Sequence, residues 1–365
     1  MIGRALALVA AALVAAPAAG AEVVARLPPD VQLAAGPVIS SGRVVWAEGG
    51  GSVDLRVATR GRTLATLPAP EAGGTHGLRG LALAGRTLAV GREVFPPPRA
   101  CPGPDPCDGA GGPAPPVPAP PPPLDYTVLS GRIGQPLHVV GRCATAGPVA
   151  TPREVAWVDH PCGAMTPRGC RILIARPGRK PRVAIRACAE ELAVTSHWLA
   201  WSHQVDEGPL SRIHLLDRRT GRRAHFTVYR GAGLALGPDG RLAVGGSLCV
   251  RGVCRRLGDA IVLTLKAGRD PRDLRGSAAV NGFIGLRGGR VAAVTDALVA
   301  AGAGPCGSFV VPQTVLVGTR HSGLRPVRRF GPRCAQIGVT AWDGRRFAYE
   351  VTTRRGTLIA LSPPR

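Results

Sequence analysis

Four side chains carry the chemistry that this sequence could support: Glu48, Asp159 with its neighbour His160, and His203. Three of them end short apolar runs that each carry a tryptophan, GRVVWAE (42–48), REVAWVD (153–159) and HWLAWSH (197–203), and His160 follows directly. Carboxylates and imidazoles gathered at one rim could hold a cation or a polar ligand, or act as acid and base in a lyase or hydrolase. The competing reading is that they are polar residues capping exposed strand ends, since other copies of the run do not repeat the pattern. Nucleophilic catalysis has no signature here, because no G-x-S-x-G elbow occurs. The adjacent acids Glu190–Glu191 and Asp206–Glu207 would point to opposite sides of a strand and so cannot share a proton. The balance favours a binding or structural module over an enzyme, with no cofactor.

The elements that position these residues come from a repeat. Variants of GRVVWAE return at GRTLAV (85–90), REVAWVD, HWLAWSH, GRLAVGG (240–246), GRVAAVTD (289–296) and GRRFAYE (344–350). Their spacing clusters near 44 residues once a proline-rich insertion at 96–123 is set aside. About four strands of 5–6 residues with tight turns fill such a period, which is one propeller blade. Apolar runs are short, broken by Gly, Pro and Asp-Gly turns, and never sustain a helical stripe, so the chain is expected to be all-β. The last unit lacks a fourth strand and a spare apolar strand lies at 23–27. The expectation is a seven-bladed β-propeller closed by the N-terminal strand. Trp46, Trp157 and Trp201 recur at one repeat position and are expected to pack between blades.

SRIHLLDRRTGRR (211–223) followed by LALGPDGRLAVGG (234–246) resembles the repeat of TolB-like β-propellers, in which a strand ending in aspartate, a T-G turn and a basic residue lead into a P-D-G turn. That resemblance implies a propeller fold of the kind used by periplasmic and secreted binding proteins.

Residues 1–21 read as a secretory signal peptide: Arg4, an apolar core, Pro17, then Ala19 and Ala21 at the cleavage position. One domain over 22–365 is expected to follow, secreted or held at the cell envelope, with no membrane span and as a monomer. Ten cysteines suit that oxidising setting as five disulfides, and histidines are not interleaved with them at metal-ligand spacing. Mapped onto the expected strands, all ten fall on one face. The pairings expected are Cys249–Cys254, Cys306–Cys334, Cys162–Cys170, Cys143–Cys188 and Cys101–Cys107.

The net charge of +23 is almost wholly arginine, with Lys180 and Lys266 the only lysines. Scattered arginines and few aromatics argue against nucleic acid. The partner is expected to be a protein, a glycan or an anionic envelope polymer, if the charge is more than solvated surface.

Overall fold

The computed structural model describes residues 21–70, 74–95, 125–160, 169–205, 208–250, 253–254, 261–264, 272–273, 282–296, 313–319, 322–330, 336–353 and 356–363. The expected signal segment up to residue 20, the proline-rich insertion, and Cys101, Cys107, Cys162, Cys306 and Cys334 lie outside these residues. No helix occurs among the described residues, so none is long and apolar enough to cross a membrane.

Among the described residues strand pairing is antiparallel throughout and forms six sheets. The first is a meander of Leu33–Ser40, Arg43–Gly50, Val53–Thr59 and Arg62–Leu67. The second runs Thr75–Ala84, Thr87–Phe95, Asp125–Arg132 and His138–Gly141, and the third Ala144–Ala150, Val155–Asp159, Arg171–Ala175 and Arg182–Ile185. The fourth is a double-width sheet of eight strands between Glu191 and Asp273, and the fifth is the meander from Gly282–Arg287 to Gly323–Phe330. In the sixth, Gln336–Trp342, Phe347–Thr353 and Gly356–Leu361 are joined by Glu22–Leu27, whose residues pair along the last strand from Glu22↔Leu361 to Leu27↔Thr357.

Seven separate blades were the expectation, and six sheets are found. The difference lies in Arg223–Leu236, which is continuous where two strands and a connection were expected. Its first half pairs with Leu210–Asp217 and its second with Arg241–Val250, through a bulge between Tyr229 and Leu234. Gly233, at φ 71°, lets the backbone bend there without leaving the ladder.

The hairpins form where short polar residues accept the turn's backbone amides. Asp217 Oδ1 accepts from Arg219 N at 2.9 Å and its Oδ2 from the Thr220 hydroxyl at 2.8 Å, while Gly221 takes φ 75°. Asp343 repeats the device, accepting from Arg345 N and Arg346 N at 3.0 and 2.9 Å.

Apolar clusters fill the space between successive sheets. Trp46 of the first sheet packs with Ala348, Ile359 and Leu361 of the sixth. Trp157 of the third packs with Ala89, Tyr126 and Val128 of the second, and Trp201 of the fourth with Ala156, Ile172 and Ile174 of the third. Each repeat tryptophan is thus buried against the preceding sheet, as the repeat position leads one to expect. Further clusters join the first sheet to the second, the fourth to the fifth and the fifth to the sixth.

Candidate functional site

The end of each sheet where the second strand runs into the third carries the sequence candidates, but the structure disperses them. Glu48, in the first sheet, accepts the indole N–H of Trp46 at 3.1 Å and stands opposite Arg56 in the register. Asp159, in the third, is 8% exposed and its Oδ2 is held by Arg171 Nη2 at 2.5 Å across the directly paired strands. His160 donates its backbone N–H to Cys143 O at 3.0 Å. No ion pair or hydrogen bond among the described residues joins Glu48, Asp159 and His203, and no group of three or more His, Cys, Asp or Glu among them could hold a metal ion.

His203 enters a cluster of stacked rings. Trp198–Val205 pairs with Leu210–Asp217, placing Trp201 opposite His214, and the next register places His214 opposite His225. Residues two apart on a strand share a face, so His203 joins Trp201 on this one. The rings stack: Trp201 on His214 at 4.8 Å and 7° between planes, and His214 with His203 at 5.1 Å and 18°. His225 is tilted at 6.0 Å from His214. Burial, with His203, His225, Arg212 and Arg223 around it, pushes the His214 pKa down to about 4. Burial and Arg212 lower that of His203 too, against a smaller opposing pull from Glu190. Both imidazoles are therefore neutral at pH 7 and each carries one donor and one acceptor nitrogen.

The stack forms one wall of a groove of about 610 Å³ between the third and fourth sheets, with Ile185 to Glu190 as the facing segment and Gln204 and Arg223 at its edge. The facing segment is pinned by a disulfide between Cys170 and Cys188. This corrects two expected pairings, Cys162–Cys170 and Cys143–Cys188. Cys170 precedes Arg171–Ala175 and Cys188 follows Arg182–Ile185; these strands are antiparallel neighbours, so the two cysteines meet at one end, 4.8 Å apart at Cα. Cys143 is itself disulfide-bonded and takes a different partner. Cys249 and Cys254 stand opposite one another in the strand register, as the hairpin pairing requires.

His214, His225, Arg186 and Arg223 were missed as site residues. The only signal for His214 and His225 was their place on consecutive strands, and it becomes readable only once the register is known.

No protein-family model matches the chain, and no curated protein sequence matches it. Solved structures match at the level of fold. A prolyl endopeptidase aligns over 94% of this chain and 49% of its own length, with a TM-score of 0.53 and 12% identity. The acylaminoacyl peptidase of Pyrococcus horikoshii aligns over 78% and 44%, with a TM-score of 0.51 and 8% identity. The chain thus spans about half the length of these two peptidases or less. The β-propeller domain of the Trilobed protease from Pyrococcus furiosus, described as having an open velcro topology, aligns over 78% of this chain and 84% of that one, with a TM-score of 0.50 and 8% identity. Taken with the sheets and inter-sheet clusters above, these likenesses give the chain a β-propeller fold.

Proposed function

We propose that this protein is an exported binding scaffold, and that its ligand surface is the groove between the third and fourth sheets. The observation that carries the reading is the Trp201–His214–His203 stack, which brings His203 to the groove as the last ring. A planar group or a sugar ring could continue that stack, with Arg186, Arg223 and Glu190 supplying charged contacts at the edge. Neutral imidazoles cost less to desolvate than charged ones, which suits recognition of a polar, uncharged ring. Export rests on the signal-like segment at 1–21 and on disulfide bonding. The double-width sheet is best counted as two repeat units sharing Arg223–Leu236, which gives seven units of a TolB-like ring. The pairing of Glu22–Leu27 with the last strand, and the cluster joining the sixth sheet to the first, support closure of that ring.

The lyase or hydrolase reading has less to stand on, because Asp159 is engaged by Arg171 and the candidate acids sit in different sheets. Titrating the protein with a panel of neutral oligosaccharides and aromatic small molecules, while following the histidine C–H resonances, tests the proposal. A binder should shift the His203 resonances, and His203→Ala should abolish its binding with the melting curve unchanged. Binding that survives His203→Ala would place the ligand elsewhere.

A further inference from the structure

The opposite end of the sheets, where first strands turn into second and third into fourth, holds a different surface. Of the several Gly-Arg turns at this end, three send their arginines to one place: Gly42-Arg43, Gly61-Arg62 and Gly85-Arg86, with glycine φ of 75°, 73° and 59°. Left-handed glycine closes each hairpin and launches the arginine at the start of the next strand. Two of these turns belong to the first sheet and one to the second. The three arginines converge, with Arg60, on one groove of about 740 Å³.

The charge in this groove is unbalanced. Among the described residues Glu22 is its only lining carboxylate, and it is already shared between Arg60 at 2.5 Å and Arg346 at 3.0 Å. Asp343 lies nearby, but its oxygens accept the backbone amides of Gly42, Arg345 and Arg346. Among the described residues Arg43 and Arg86 reach only backbone carbonyls, Gly85 O at 3.2 Å and Ile133 O at 3.3 Å. Arg62 makes no hydrogen bond or ion pair through its side chain among the described residues. At the same end of the molecule, other arginines gather on a carboxylate. Between the third and fourth sheets, Glu154 receives Arg218 at 2.6 Å, Arg182 at 3.6 Å and Arg176 at 4.0 Å, with Glu154 and Arg218 largely buried. There each arginine is drawn to one largely buried carboxylate. Beside the first and second sheets they face open space.

We propose that this groove is a binding site for a polyvalent oxyanion, a ligand carrying several phosphate or carboxylate groups on one chain or ring. Guanidinium forks match the two oxygens of either group, and three forks from three separate turns can address three such groups at once. The volume is that of a small organic ligand rather than of a single inorganic ion. This site is distinct from the histidine-lined groove in face and in chemistry, so either proposal can fail without the other.

Calorimetric titration with tripolyphosphate and, separately, citrate tests it, at an ionic strength of about 0.15 M so that charges beyond about 8 Å are screened. One saturable site per chain is expected for at least one probe, and the preferred probe tells phosphate from carboxylate recognition. The combined variant Arg43→Gln, Arg62→Gln, Arg86→Gln should weaken binding about tenfold or more, as expected for lost charge-assisted hydrogen bonds. A control with equal charge loss, Arg153→Gln, Arg179→Gln, Arg222→Gln, should change it less than about twofold. The single substitutions at 43, 62 and 86 give the same reading in smaller steps should the combined variant fold poorly. Equal weakening in both triple variants would reduce the effect to net charge and overturn the site, as would the absence of saturable binding by either probe.

Discussion

His214 lies between Trp201 and His203 with its pKa pushed down to about 4 by burial and by the cationic and imidazole groups around it. In the unfolded chain it returns to an ordinary value of 6.5. As pH falls from about 6.5 toward 4, the unfolded chain takes up a proton that the folded one refuses, so stability present above 6.5 is lost in that window. His203 shifts in the same direction and adds to the loss. Urea midpoints measured at pH 7 and pH 5 should show the decrease, and His214→Phe, which keeps a stacking ring without a proton, should show a smaller one. An equal pH dependence in the variant would assign it to other groups. Gly141 makes a second prediction. A Cβ there would fall 2.6 Å from Trp157 Cε2 and Nε1, and the indole is fully buried with no room to retreat. Gly141→Ala should therefore cost about 1–3 kcal/mol by overpacking, measurable as a lower melting temperature.

Strands and hairpins were legible wherever the signal is local. The first sheet's strands Leu33–Ser40, Arg43–Gly50, Val53–Thr59 and Arg62–Leu67 follow the four-strand unit expected of the repeat, because Gly-Arg turns and β-branched runs mark them directly. The features that escaped depend on which strands become neighbours. Arg223–Leu236 reads as two strands around Y-R-G-A-G, since nothing local shows that both halves stay paired through the bulge. His214 acquires its meaning only opposite Trp201, and Cys170 meets Cys188 only because the third and fourth strands of one sheet end together. That bridge carries a prediction of its own. It closes a loop of sequence separation 18, and replacing both cysteines by serine should lower stability by about 3 kcal/mol on the loop-entropy account. The groove facing Trp201 and His203 should also lose order, so ligands that need its Ile185 to Glu190 wall should bind more weakly. Nonreducing peptide mapping should recover the 170–188 bridge, and a recovered Cys143–Cys188 bridge would instead restore the pairing the sequence suggested.

At the scale of the whole molecule, apolar clusters join successive sheets, and the sixth sheet takes its outer strand from the N-terminal segment. Without Glu22–Leu27, the strand Gly356–Leu361 would be left at the edge of the sixth sheet with its amides and carbonyls unpaired. The N-terminal strand also lodges Leu27 in the cluster that holds Trp46, Ile359 and Leu361, and its Glu22 ties Arg60 of the first sheet to Arg346 of the sixth. The ion pairs are exposed and contribute little on their own. Backbone pairing and the buried leucine should dominate. Deleting residues 22–28 should therefore lower the melting temperature markedly, whereas Glu22→Gln should lower it only slightly. The deletion should also loosen the packing of Trp46 and change its fluorescence, because the indole rests on the sheet that Glu22–Leu27 completes. If the deletion melts like the full chain, the N-terminal strand is a passenger on the sixth sheet and the fold holds without it.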